Sequence, residues 1–298
     1  MLILLLLLSL VPPALPYSAI PLPHPPSVFT LPPSPPSSNP GFSPYLVPLS
    51  PAPTKSSAPP VPYALLDMPP APPAGASLPF PIPLIVLCSD HTHHSPRSNP
   101  SASPSELAEL SDPANSTLTR WLDFCYESSG VLPKVLMHRF DLPTLYRPHV
   151  SHVLDGTGPW YAGPAPSFSI SAARPANPSL VIYHTPGQTL GSLSVLPLHA
   201  PVAATGGLLP TSARMDVFGV LATCGAGILR QARSAEELGG LVDEELAGGG
   251  VEAVLTSKGG VVRLSAGSSF GDYCREGAAF LRKFSGDEEE GPLNKFAE

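Results

Sequence analysis

The sequence predicts an α/β sandwich, in which helices cover two sheets, preceded by a long proline-rich region. One observation is a series of short apolar segments, divided by Gly and Pro turns and interrupted by helical patterns, between residues 81 and 265. The other is the uneven distribution of the 43 prolines, most of which precede residue 114. Because proline fixes φ and removes a backbone donor, we predict that residues 17–80 are disordered or polyproline-like.

The first 16 residues, MLILLLLLSLVPPALP, resemble the apolar core of a secretory signal. The apolar run is too short to cross a bilayer, which takes about 20 residues. We therefore expect no transmembrane span and a secreted protein. Because no Lys or Arg precedes the run, an organellar or cytoplasmic location stays open. The folded domain is predicted over residues 81–285, followed by an acidic tail over 286–298 that contains GDEEE.

Within the predicted domain, two segments have helical periodicity. The first covers residues 105–127, where Pro113 can break the helix, Ser116 or Thr117 can cap the second piece and Gly130 is a stop. The second covers residues 234–246, where Ser234 opens a Ser-x-x-Glu capping box. Strands are predicted at residues 81–88, 131–138, 167–171, 179–184, 192–198, 201–206, 251–257 and 261–265.

The charge balance indicates which partners to exclude. The formal net charge is -7 and the pI is about 5.7. Because phosphate binding needs a concentrated basic patch, and the sequence contains none, we expect no nucleic-acid partner. The sequence identifies no other partner.

Four widely spaced cysteines, Cys88, Cys125, Cys224 and Cys274, contain no CxxC pair. A zinc ribbon or a thioredoxin-type site is therefore excluded. Two disulfides and buried free thiols are equally consistent with the spacing.

Several histidines are weak candidates for metal ligands. His91 and His93 would project to the same side of an extended segment. His149 and His152 follow Asp141 and could lie near His138. Each group has fewer ligands than a tetrahedral zinc site requires, so an exposed polar turn is the favoured interpretation.

Six short segments together resemble the metallo-β-lactamase fold, and in particular its plant and algal members. DGTGPW (155–160) and HTPGQT (184–189) are similar to the family's GSGPW and HTPGHT. The other four are HSPRSNP (94–100), VLMHRFD (135–141), PVAATGG (201–207) and VEAVLTSKGG (251–260), which resemble DSPRxNP, LTHRDD, VLFTGD and the strand that ends in PGHG. The resemblance covers roughly residues 80–265 and implies an αββα sandwich.

The resemblance also implies what the site should contain. Active members hold one or two metal ions with His and Asp ligands, and the metal-bound water attacks a carbonyl or phosphoryl centre. Here His138 matches the first ligand, whereas Phe140 stands near a second. The other substituted positions are Gln188 for a His, Gly207 for an Asp and Lys258 in place of the GHG turn.

The substitutions favour a protein without an intact dinuclear site, a pseudoenzyme or a binding protein with no cofactor. In that case one pocket should be lined by His138, Asp141, His184, Gln188, Gly207 and Lys258. His184 is not a ligand in the family, and we expect it to shape the turn through a hydrogen bond.

Two alternatives stay open. One is a residual zinc-dependent hydrolase of an ester, thioester or phosphodiester that uses His138, Asp141 and His149 or His152. The other is a secreted proline-rich structural protein whose C-terminal half only mimics the pattern.

Overall fold

The structure is a computed structural model. It describes residues 18–20, 28–31, 44–52, 59–68, 72, 78–88, 116–142, 146–164, 168–187, 189–209, 227–246, 250–256, 260–265 and 267–285.

The first sheet contains seven described strands in chain order. Strands β1 to β4 are antiparallel, whereas β4 to β7 run parallel. Parallel neighbours bring their carboxyl ends to one edge of a sheet. The strands are β1 (Ser18–Ile20), β2 (Val28–Thr30), β3 (Tyr45–Pro48), β4 (Tyr63–Leu66), β5 (Leu84–Leu87), β6 (Lys134–His138) and β7 (His152–Leu154).

The second sheet also contains seven described strands, in the order β14-β13-β12-β11-β10-β8-β9. Its pairs are antiparallel except for β12 and β13, which are parallel. The strands are β8 (Trp160–Ala162), β9 (Ile170–Ser171), β10 (Leu180–His184), β11 (Leu193–Pro197), β12 (Val202–Gly206), β13 (Ala253–Thr256) and β14 (Gly260–Arg263).

Three described α-helices cover the sheets: α1 (Thr117–Ser129), α2 (Ile228–Leu246) and α3 (Phe270–Ser285). The predicted ends of α1 are confirmed. Ser116 accepts a hydrogen bond from the Thr119 amide, and Gly130 adopts φ 70°, which suits a glycine after a helix. The helix α3 was not predicted.

Three apolar layers produce the αββα order. An inner layer between the sheets includes Leu136, Ile182 and Val195. A second layer packs Trp121 of α1 against the outside of the first sheet. A third layer packs Leu238 of α2 on the outside of the second sheet, together with α3. The predicted α/β sandwich is therefore confirmed.

The predicted disorder of residues 17–80 is wrong for β1 to β4. Strands β3 and β4 are buried along their whole length. Proline is tolerated here because it lies before a strand or, as Pro48 does, at the last position of one, where its carbonyl can accept a hydrogen bond and no donor is needed. The carbonyl of Pro81 accepts from Tyr63 N at 2.9 Å, and that of Pro62 accepts from Leu49 N at 2.9 Å. The domain therefore begins before residue 81.

The predicted start of the second helix is also wrong. The helix begins at Ile228, so Ser234 lies inside it. The Ser234 hydroxyl donates to the carbonyl of Pro186 at 2.7 Å and docks the helix on that turn. A buried tertiary contact, and not a capping box, explains this serine.

The cysteine alternatives are resolved for three residues. Cys88, Cys125 and Cys274 are buried and carry free thiols. Two disulfides are therefore excluded, and Cys224 lies outside the described residues. Burial raises the pKa of Cys125 to about 12, which keeps this thiol protonated near neutral pH.

In the described part of the chain, no helix combines the length and apolarity needed to cross a membrane.

A chain that begins at residue 81 is expected to lose cooperative unfolding, because the truncation removes β3 and β4 from the first sheet. The two strands contribute four buried Leu and Val side chains, Leu46, Val47, Leu65 and Leu66, worth about 1.5–3 kcal/mol each, and also Tyr45, Tyr63 and Ala64, so the loss is comparable to a total stability of about 5–15 kcal/mol. Circular dichroism during urea unfolding measures the cooperativity of the transition. A chain that begins at residue 17 is the matched control. Equal cooperativity of both chains would contradict this domain boundary.

Candidate functional site

The candidate site lies at one edge of the sandwich, where β5, β6, β10, β12 and β13 end. Contacts between the two sheets identify this edge. The carbonyl of Cys88 accepts from Leu193 N at 2.6 Å, directly after β5 and at the start of β11. The rings of His138 and His184 stack with centroids 4.1 Å apart and planes 6° from parallel. We call this region, defined by Cys88, His138, His184 and Leu193, the site edge.

His138 is the last residue of β6 and is fully buried. Its Nδ1 accepts a hydrogen bond from Phe140 N at 3.3 Å, so this nitrogen carries a lone pair and no proton. Its Nε2 lies 3.2 Å from the carbonyl of Gly156, which can only accept, so Nε2 carries the proton. Both ring nitrogens of His138 are therefore occupied by backbone groups.

The surroundings of His138 favour its neutral form. Burial lowers the pKa of His138 below the ordinary value. The Gly156 carbonyl opposes this by raising the pKa, the imidazole of His184 lowers it further, and the more distant charges of Asp155 and Arg139 act in opposite directions.

His184 ends β10, opposite His138. Its Nε2 lies 2.8 Å from the carbonyl of Leu190 and donates to it. This hydrogen bond closes the turn between β10 and β11, as the sequence predicted. The imidazole is partly exposed, in contrast to that of His138.

Asp141 joins the end of β6 to the same turn. It lies in a 3-10 turn, Arg139–Asp141, and its side chain is buried. One carboxylate oxygen accepts from Gly191 N at 2.9 Å, and the other accepts from the Thr189 hydroxyl. The Thr189 hydroxyl in turn lies 2.7 Å from that of Ser192.

The contact between Asp141 and Gly191 requires a residue without a side chain. A Cβ added to Gly191 would lie 2.6 Å from Cγ of Asp141, closer than real Cβ atoms approach. Glycine at this position therefore lets the backbone reach the carboxylate.

Two residues at the site edge were missed by sequence reasoning. Asp67 is buried at φ 60°, and its carboxylate accepts from Cys88 N at 2.7 Å. The Tyr45 hydroxyl lies 2.8 Å from the carbonyl of Thr256 and 3.0 Å from that of Gly260, so it joins the first sheet to the β13–β14 hairpin. Asp67 is the first acidic residue of the sequence and directly follows an apolar run, a signal that could have identified it.

The other described candidates have contacts of their own. The Gly207 carbonyl follows β12 and accepts from Gln231 of α2 at 3.1 Å. His149 lies 3.3 Å from the Thr119 hydroxyl on α1. His152 starts β7 opposite Leu136, and burial, followed by the charge of Lys134, lowers its pKa.

Four predicted site residues, His91, His93, Gln188 and Lys258, lie outside the described residues. The convergence of Gln188, Gly207 and Lys258 on one pocket therefore stays a prediction.

The described residues do not fit a zinc site. A tetrahedral site needs at least three protein ligands with available lone pairs. At the site edge, both nitrogens of His138 and both carboxylate oxygens of Asp141 already bind other groups of the chain. Across the part of the chain that the structure describes, no three His, Cys, Asp or Glu side chains are grouped to hold a metal ion.

The architecture is that of known metallo-β-lactamases. A metallo-β-lactamase from Erythrobacter litoralis aligns with a TM-score of 0.50 and 11% identity, over 90% of this chain and 93% of that chain. The mono-zinc form of the metallo-β-lactamase FIM-1 from Pseudomonas aeruginosa aligns with a TM-score of 0.50 and 12% identity, over 90% and 97%. Neither a family model nor a curated protein matches the sequence. The chain therefore has a metallo-β-lactamase-like fold, and identities this low establish the fold alone.

Replacing Asp141 with Ala is expected to destabilise the protein by about 2–4 kcal/mol, because hydrogen bonds from Gly191 and Thr189 to a buried charge are lost. The urea midpoint, with an unchanged m-value, measures the effect. Asp155→Ala is the control, since this exposed partner of Arg139 should contribute less than about 1 kcal/mol. Equal losses in both variants would show that Asp141 does not hold the turn.

Stability is expected to fall as the pH decreases below about 6.5, the ordinary pKa of histidine. Because His138 has a lowered pKa in the folded protein, the unfolded chain binds more protons between that lowered pKa and about 6.5. The free energy of unfolding therefore decreases as the pH falls through this window. Urea unfolding at several pH values measures the free energy of unfolding of the protein and of its His138→Gln variant. The pKa values of His152 and His199 are also lowered, but these residues are present in both proteins, so the difference between the two pH slopes belongs to His138. Identical pH slopes for the two proteins would contradict the assignment to His138.

Proposed function

We propose that this protein lacks an intact dinuclear metal site and acts as a binding protein rather than as a metal-dependent hydrolase. The observation that carries the proposal is the use of both nitrogens of His138 by backbone groups of its own chain. A ligand must offer a lone pair to the metal, and the only lone pair of neutral His138 already accepts the Phe140 amide.

The bonding of Asp141 supports the same proposal. A carboxylate that binds a metal is directed at a point that it shares with the other ligands. Here the two oxygens hold the turn that carries Thr189 and Gly191. The polar side chains of the site edge thus stabilise the conformation of the loops.

The alternative of a residual zinc hydrolase needs His138, Asp141 and His149 or His152 around one point. The contacts of His149 with Thr119 and of His152 beside Leu136 do not favour that arrangement. The hydrolase therefore ranks second. We further propose that the chain enters the secretory pathway, on the basis of its first 16 residues, which lie outside the described part.

Metal analysis of the purified full chain tests the proposal. After addition of excess zinc and dialysis against a weak chelator, we expect less than about 0.1 metal ion per chain, because a tight structural zinc site requires about four ligands. His138→Gln is the matched control and should give the same background. Near-stoichiometric zinc that falls in the His138→Gln protein would overturn the proposal and favour a hydrolase.

A further inference from the structure

We propose that Nδ1 of His184 is the hydrogen-bond acceptor of a binding subsite at the site edge. The subsite would take a neutral ligand that combines an O–H or N–H donor with an apolar group. The inference rests on the proposed function, which it deepens by naming a ligand class.

The tautomer of His184 follows from its one hydrogen bond. A carbonyl oxygen can only accept, so the nitrogen 2.8 Å from Leu190 O must carry the hydrogen. In a neutral imidazole the other nitrogen then has no hydrogen and presents a lone pair. The lone pair of His184 is therefore on Nδ1.

The orientation of the ring is fixed by His138. The two imidazoles lie face to face, with centroids 4.1 Å apart and an angle of 6°. His138 is itself held on both nitrogens by Phe140 and Gly156. A fixed ring loses little conformational entropy when a ligand binds, which favours recognition through Nδ1.

Within the described part of the site edge, the other basic or acidic groups are already engaged. His138 and Asp141 bind backbone groups, and Asp67 binds the amide of Cys88. By contrast, Nδ1 of the partly exposed His184 has no hydrogen-bond partner among the described residues. An unpaired acceptor on an immobilised ring is the feature expected of a recognition group.

The surroundings indicate the apolar part of the ligand. Phe140 is 56% exposed, and its ring centroid lies 5.1 Å from that of His138. Leu190, whose carbonyl holds His184, is 44% exposed. Phe140 contacts the ring on which His184 stacks, and Leu190 lies in the turn that His184 closes, so both exposed apolar side chains belong to the surroundings of the His184 ring. Small-molecule sites combine apolar side chains with a few polar groups that fix the orientation of the ligand.

The test compares 4-methylphenol with toluene, which has the same ring and methyl group but no donor. The full chain, labelled with ¹⁵N in histidine, is titrated with each compound, and His184→Phe assigns the His184 resonances. We expect Nδ1 of His184 to be unprotonated in the free protein and to shift on addition of 4-methylphenol. We expect 4-methylphenol to bind about threefold to tenfold more tightly than toluene, the net effect of one hydrogen bond.

A second measurement does not depend on a variant. Diethyl pyrocarbonate acylates an accessible, unprotonated imidazole nitrogen, and mass spectrometry maps the modified residue. His184 should react, whereas His138 should not, and 4-methylphenol at about twice its dissociation constant should slow the reaction at His184 about threefold, because the bound fraction is protected.

Three results would overturn the inference: an Nδ1–H tautomer at His184, equal affinity for the two compounds, or no protection of His184 by 4-methylphenol. If the metal analysis finds no zinc, any of these results refutes the subsite alone. Stoichiometric zinc would refute the proposed function, whatever the titration shows.

Discussion

The loops of the site edge depend on the need to satisfy one buried carboxylate. A charge in an apolar surrounding is costly unless every oxygen finds a donor. Asp141 meets this requirement by binding Gly191 N and the Thr189 hydroxyl across the gap between the two sheets. The turn after β10 therefore has to come close to the 3-10 turn after β6. This approach in turn brings His184 against His138.

The stacked histidines have different roles in this arrangement. His138 is enclosed, and its two nitrogens serve the backbone at Phe140 and Gly156. His184 closes a turn with one nitrogen and keeps the other available. Of the two histidines at the ends of facing strands, the buried His138 thus supports the backbone, and the partly exposed His184 is left for recognition.

Much of the sandwich could be predicted from sequence, because β5, β6 and β10 are short apolar runs and Ser116 and Gly130 mark the ends of α1. The early strands could not be predicted, because proline normally argues against a sheet. Only the pairing partner shows that the Pro62 carbonyl is an acceptor. Of the site, His138 and Asp141 were named from the resemblance, and the turn role of His184 from the tendency of polar side chains to be satisfied locally. The contacts of Tyr45 and Asp67 were missed because they join segments that are distant in the chain.

The hydrogen bond from Tyr45 to Thr256 joins residues 211 positions apart, near opposite ends of the folded region. Bringing such distant segments together carries a loop-closure entropy, and contacts of this kind slow folding. During synthesis the Tyr45 hydroxyl lacks its hydrogen-bond acceptor until β13 has left the ribosome. Until then β3 and β4, which have almost no charged neighbours in the chain, lack the second sheet that covers their inner face. The density of proline around them offers protection in this interval, because proline interrupts the pairing that leads to aggregation.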